Sequence, residues 1–382
     1  MDYAVETGRG IRVLVADDSA FMRTALTRMI QSDPRIHVVA TAQDGVEALE
    51  KIAEWDPDVI TLDIEMPRLD GLGVLRRLIP QNPKPVIMIS SLTQEGAEAT
   101  LAAFDLGAFE CIPKTHSFAT LDILKIREDL IGKIKAAACA KPAVQRLNTV
   151  ATRSGSTAAS ASTHSHVGPT PAVIAIGAST GGPRALQEII PRLPADLSAG
   201  VVIVQHMPQG FTGPFARRLN DLSEVNVREA INGEPIQPGT VLVAPATWHL
   251  TLSHASSDRY LVHLSKSPEG TLHRPSVDVT MQSAAEICGP RVMGVILTGM
   301  GTDGAQGMKA ISEKGGRTVG QDETTCAVYG MPRACDELGV LDRVMPLWEI
   351  PSEIVHAVSP AGRTASSHIE ASSSHGNRNS VG

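Results

Sequence analysis

Aromatic side chains are nearly absent: Phe, Trp and Tyr together make up 3% of the 382 residues. Such a chain must build its cores from aliphatic residues and alanine, and it lacks the stacking surface of a single-strand nucleic-acid binder. Positive charge is scarce too. With 34 Lys and Arg against 41 Asp and Glu, the net charge of −7 excludes a strong phosphate-backbone binder, which needs a dense basic face. The five cysteines, at 111, 139, 288, 326 and 335, include no CxxC spacing. That argues against a disulfide framework or a structural zinc site and fits a reducing cytosol. No apolar run approaches the roughly 18 residues that span a bilayer, and the opening MDYAVETGRG has acids in place of an apolar signal core. The expectation is a soluble, cytoplasmic protein. What is present suits a sizeable core: 42% hydrophobic and 20% charged residues, in a length that predicts two domains or three at about 150 residues each.

Residues 10–136 alternate short apolar runs with helical patterns. Ile11–Ala16, His37–Thr41, Val59–Leu62, Val86–Ser90 and Glu110–Pro113 read as buried strands. Ala20–Gln31 after a Ser19 cap, Gly45–Trp55 after Asp44, Gly71–Ile79, Glu95–Leu106 and Phe118–Ala138 read as helices. Five strands, each followed by a helix, predict a parallel sheet covered on both faces. Over 137–170 the composition turns to Ala, Ser, Thr, Pro and Gly, without the large apolar groups that offset the entropy of ordering. This stretch reads as a flexible linker in which His164 and His166 are solvated. Strand and helix signals resume over 171–357, with AVIAIG, a helix near Pro183, GVVIVQ, and buried-strand candidates Thr240–Ala244, Tyr260–Leu264, Val292–Thr298 and Arg317–Val319. A second α/β domain is predicted there, followed by a polar, disordered tail over 358–382.

In an open parallel sheet, functional groups collect beyond the carboxyl ends of the strands. Asp17 and Asp18 follow the first strand and Asp63 ends the third, so three carboxylates converge and call for a divalent cation such as Mg²⁺. Ser90 ends the fourth strand and Lys114 follows the fifth. A hydroxyl, an ammonium and a metal around one aspartate make a phosphoryl-acceptor site with Asp63 as nucleophile. Taken singly, the aspartates read as a helix cap or the start of a turn. Five groups at matching strand ends favour the site. Together with MPRLDG at 66–71, they resemble the receiver domains of two-component response regulators. The resemblance implies a flavodoxin-like five-stranded fold and phosphorylation of Asp63 by a histidine kinase. It also implies Mg²⁺ held by Asp18, Asp63 and the backbone carbonyl of Glu65, with Asp17 in the acidic pocket, and Ser90 and Lys114 sensing the phosphoryl group. Cys111 departs from the pattern, standing where an aromatic switch residue is common.

The second domain opens with Gly177-Ala178-Ser179-Thr180-Gly181-Gly182 between a strand and a helix. GxSxG in that setting is a nucleophile elbow, in which glycines permit a sharp turn that exposes the hydroxyl and the helix N-terminus offers N–H groups to an oxyanion. A structural turn and a phosphate-binding loop are the rival readings. His206, just past the next strand, is the candidate base, and Asp303, in the glycine-rich loop LTGMGTDGA, the candidate acid, with Thr180 and Met300 on the oxyanion and substrate loops. His356 is a rival base nearer the tail. The segments AIGASTGGP, VQHMP, VAPATWHL, RPSVDV, ILTGMGTDGA and VYGMPRA resemble the catalytic domain of the chemotaxis protein-glutamate methylesterases/glutamine deamidases, whose triad Ser179, His206 and Asp303 match. Trp248 lies in a loop that often carries glycines in that family.

The resemblance implies a doubly wound α/β catalytic domain that hydrolyses glutamate γ-methyl esters, and deamidates glutamines, on methyl-accepting chemotaxis receptors. It implies no cofactor for the ester chemistry, a chemotaxis histidine kinase as phosphodonor, no nucleic-acid partner and no membrane insertion. Tethering also suggests that the unphosphorylated receiver covers the catalytic site and that phosphorylation releases it. A receiver joined to a binding-only output domain and a general serine esterase are the competing functions.

Overall fold

The computed structural model describes residues 9–91, 93–114, 120–140, 169–256 and 259–359. Most of the expected linker and the tail from residue 360 lie outside these, as does the start of the helix expected from Phe118.

The N-terminal domain runs β1 (Ile11–Ala16), α1 (Ala20–Ile30), β2 (Ile36–Ala42), α2 (Gly45–Trp55), β3 (Val59–Asp63), α3 (Gly71–Gln81), β4 (Val86–Ser91), α4 (Gln94–Asp105), β5 (Glu110–Lys114) and α5 (Thr120–Cys139). Its five strands are all parallel, in the order β2-β1-β3-β4-β5. The strands read as apolar runs because helices cover both faces, and β3 is buried along its whole length. Ser19, Asp44, Asp70 and Thr93 cap the first four helices by accepting backbone N–H bonds, which fixes where each strand-to-helix loop ends. The order puts β1 beside β3, so their carboxyl ends form one crevice.

The C-terminal domain comprises β6 (Val173–Ala178), α6 (Gly182–Ile189), β7 (Gly200–Gln205), α7 (Thr212–Leu222), β8 (Asn226–Glu229), β9 (Pro235–Ile236), β10 (Thr240–Val243), β11 (His249–Ser256), β12 (Arg259–Ser265), α8 (Val277–Cys288), β13 (Val292–Ile296), α9 (Ala305–Glu313), β14 (Arg317–Gln321), α10 (Met331–Glu337), β15 (Arg343–Met345) and α11 (Ile350–Val358). Seven parallel strands run β15-β14-β13-β6-β7-β10-β8, with β6 at the centre and β13 and β7 on either side. The strand expected at Tyr260–Leu264 does not join this sheet. It belongs to β12, which pairs antiparallel with β11 and β9 in a separate three-stranded sheet. Its alternating burial is that of a strand covered on one face only. The edge strands β8 and β15 were not expected, because NVRE is short and largely polar and RVM is only three residues long, and edges tend to be short.

Candidate active site

The crevice of the N-terminal domain gathers Asp17, Asp18 and Asp63, each offering one carboxylate oxygen within 4.8 Å of the other two. Lys114 reaches in from the end of β5, 2.6 Å from Asp63 Oδ2 and 3.1 Å from Asp17 Oδ2. Burial, then the Asp17 charge, outweighs Lys114 and raises the Asp63 pKa to about 6. Asp17 Oδ2 is buried, and the Lys114 ammonium is the one charge that faces it among the described contacts. Two buried carboxylates and a third exposed one sharing a single ammonium fit a small hard cation with oxygen ligands. The Glu65 N–H donates to Asp63 Oδ1 (3.4 Å), and its carbonyl stays a proposed ligand. Ser90 is engaged elsewhere: its buried hydroxyl accepts from Thr100 Oγ1 (2.8 Å) and donates to the Gly96 carbonyl (3.0 Å) on α4.

In the C-terminal domain, the pairing of Ala178 with Gln205 lets Ser179 and His206 leave adjacent parallel strands side by side, and the His206 N–H donates to the Ala178 carbonyl (3.1 Å). Gln205 ties the two turns together. Its buried amide nitrogen donates to the carbonyls of Ser179 (2.9 Å) and His206 (3.0 Å). Gly181 has φ 76°, and a Cβ on Gly182 would sit 2.0 Å from Gln205 Oε1, so only glycines let the chain reverse against that amide. From the other side the loop after β13 closes in, with a Cβ at Gly299 falling 2.9 Å from the Ser179 Cβ. Ser179 is thus flanked by His206 and by the Gly299–Met300 turn.

Asp303 accepts four hydrogen bonds, from His206 Nε2 (2.9 Å), Ser276 Oγ (2.8 Å) and the N–H groups of Val277 (2.8 Å) and Asp278 (3.0 Å). Three of these come from the start of α8. Burial alone would push the carboxyl up, but His206 and these donors hold it well below the usual carboxylate range. An ionised carboxylate only accepts, so His206 Nε2 donates to it, and in the neutral ring Nδ1 is then the nitrogen with the lone pair. Nδ1 is buried and has no hydrogen-bond partner, so the Ser179–His206 bond of a closed triad is not formed here. His356, the rival base, is exposed on α11 and does not enter this network.

Several polar residues of the site were not singled out by sequence. Ser276 also caps α8, and its N–H donates to Nδ1 of the fully buried His249 (3.2 Å). Asp278 accepts from the N–H groups of Gly304 (2.9 Å) and Gly307 (2.8 Å), at the start of α9. Asp303 and Asp278 therefore cap each other's helices. His273 stacks on His206 with ring centroids 4.1 Å apart. The RPSVDV and TDGA segments signalled this exchange only as unassigned polar letters.

The N-terminal domain lies over this site. Glu110 of β5, itself buried, hydrogen-bonds the Thr180 hydroxyl. A Cβ on Gly132 of α5 would be 3.0 Å from the Met300 methyl group, and Asp129 and Lys133 bear electrostatically on His273. Asp105 at the end of α4 accepts from Gln187 Nε2 (3.0 Å) and Arg218 Nη2 (2.7 Å). An open cleft of about 480 Å³ runs between Thr93 of the first domain and Gln209, Arg217 and Trp248 of the second. No helix among the described residues is long and apolar enough to cross a membrane.

Residues 13–124 match the family model for response regulator receiver domains, and residues 174–354 match that for the CheB methylesterase. A protein-glutamate methylesterase/protein-glutamine glutaminase of Symbiobacterium thermophilum is 48% identical over 359 residues, covering 92% of this chain and 98% of the relative. A protein of the same name from Pyrococcus abyssi is 44% identical over 352 residues, covering 92% and 95%. The crystal structure of the Thermotoga maritima CheB methylesterase catalytic domain is 43% identical, covers 49% of this chain and 99% of its own, and has a TM-score of 0.48.

Proposed function

Because the chain belongs to the protein-glutamate methylesterase/protein-glutamine glutaminase family, hydrolases that carry a receiver domain, we propose that Ser179 is its nucleophile, His206 its general base and Asp303 the acid that fixes the base. The observation that carries this reading is the His206–Asp303 bond, which leaves Nδ1 as the lone pair beside the turn that bears Ser179. His206 Nδ1 takes the Ser179 proton as the hydroxyl oxygen attacks the γ-carbonyl of a glutamate methyl ester. The same proton passes to the departing methoxide, so methanol leaves and an acyl-enzyme remains. Water, deprotonated by His206, then releases the glutamate carboxylate and restores Ser179. On a glutamine side chain the leaving group is ammonia. Thr180 and Met300, on the two loops flanking the serine, are the proposed oxyanion side of the site.

The substrates in this reading are methylated glutamates on the cytoplasmic helices of methyl-accepting chemotaxis receptors, and the enzyme works in the cytoplasm. Asp63 is the proposed phosphoryl acceptor, with a chemotaxis histidine kinase as donor. Asp17, Asp18 and Asp63, with the Glu65 carbonyl, would hold Mg²⁺, which supplies neutralisation of phosphoryl charge when bound. Lys114 binds the incoming anion and Ser90 turns to it from α4. The contacts of Glu110, Gly132 and Asp105 support a covered, low-activity arrangement that phosphorylation opens. The test is methanol release from methylated receptors by the full chain, with and without a small phosphodonor. Release that rises with the phosphodonor, and fails to rise in Asp63→Asn, is expected. Equal release in all conditions would reject the regulatory part, and no release at all would reject the receptor substrate.

A further inference from the structure

The catalytic imidazole is anchored at one edge and free at the other. Asp303 holds Nε2 at 2.9 Å, while Nδ1 has no partner. A single hydrogen bond restrains the turning of the ring about its Cβ–Cγ bond at one atom only, and such turning swings Nδ1 away from the turn that carries Ser179. The face of the ring is not bare, however. His273 lies on it with centroids 4.1 Å apart and an interplanar angle of 20°, an offset-parallel contact that opposes this rotation.

The placement of His273 is built, not incidental. Three residues on, Ser276 donates to Asp303 and its N–H donates to His249, while the Thr247 N–H donates to the carbonyl of Arg274 (3.1 Å). One short segment before α8 therefore grips both ends of the pair, the carboxylate through Ser276 and the imidazole face through His273. Burial, then the neighbouring His206, brings the His273 pKa down to about 4, so the ring is uncharged where the reaction runs. An uncharged ring can lie against His206 while that residue carries the extra proton of the transition state, without the repulsion a second cation would impose. The charged groups that face the pair are Asp303 from the loop after β13 and Asp129 and Lys133 from α5.

We propose that His273 is a positioning residue for the hydrolysis, stacked on His206 so that Nδ1 stays aimed at Ser179 through both proton transfers. The proposal rests on the Ser179–His206–Asp303 reading. It is tested in the full chain, with phosphodonor present, by measuring kcat and KM for methanol release in His273→Ala and His273→Phe, with Ser179→Ala as a control. Circular dichroism confirms that each variant is folded. A misaligned base should lower kcat of His273→Ala about 10- to 100-fold with KM little changed, because only the transition state uses the alignment. His273→Phe, which keeps a flat ring on the same face, should recover most of that loss. The proposal is overturned if His273→Ala retains wild-type kcat, if KM rises while kcat holds, or if Phe fails to restore what Ala loses. If Ser179→Ala itself keeps releasing methanol, the underlying triad fails, and that outcome is separate from any result at position 273.

Discussion

An imidazole has two nitrogens, and a triad works only when the one holding the lone pair faces the nucleophile. Here the choice is made at Asp303. Four donors keep that carboxyl ionised, and an ionised carboxylate forces the proton onto His206 Nε2. Asp303→Asn offers an amide that can donate to Nε2 and so stabilise the wrong tautomer. Its kcat for methanol release should fall about 10⁴-fold, the scale seen when the same change is made in other serine triads. The same carboxyl carries a signature in stability. Because its folded pKa lies below the unfolded one, its stabilising contribution is complete above about pH 4 and drains as the pH falls further. Thermal midpoints measured from pH 5 to pH 2 should therefore drop more steeply for wild type than for Asp303→Asn. Parallel curves would contradict the assignment.

At the level of elements, the site is held by two helices that cap each other. Ser276, Val277 and Asp278 at the start of α8 donate to Asp303, and Gly304 and Gly307 at the start of α9 donate to Asp278. Ser276→Ala removes the α8 cap and one Asp303 donor together. Its expected cost is about 1 kcal/mol of stability, read as a lower urea midpoint, together with a fall in kcat. Little of this exchange was legible beforehand. The parallel strands could be read because both their faces are buried, which makes them apolar runs that end at Asp17, Asp63, Ser179 and His206. The elbow could be read because its glycines have a steric reason. Ser276, Asp278, Gln205 and His273 have no periodicity, and most of their partners lie 20 or more positions away, so only the folded chain pairs them. The antiparallel β11–β12 pair was missed as a sheet for a related reason: it is buried on one face, and its alternation is weaker than a continuous apolar run.

At the scale of the whole molecule, the two halves meet where each has its chemistry. The strand β5 ends in Lys114, which pairs with Asp63, and begins with Glu110, which bonds Thr180 beside the nucleophile. The five residues of β5 thus link the proposed phosphoryl-acceptor crevice to the proposed esterase turn. Cys111, which has no aromatic ring, lies between them, so β5 itself is the proposed carrier of the signal. The interface is also pinned by Arg218 on Asp105 at 2.7 Å. Arg218→Glu sets two like charges there, and methanol release without phosphodonor should rise toward the phosphorylated level. An unchanged basal rate would mean that the covered arrangement does not limit activity. The account as a whole turns on the hydroxyl of Ser179. The most direct test is methanol release from methylated receptors by the full chain with phosphodonor, comparing wild type with Ser179→Ala. A fall of at least about 10⁴-fold is expected, since removing the nucleophile of a triad leaves only binding and oxyanion stabilisation. Release by Ser179→Ala at a rate near that of wild type would contradict it.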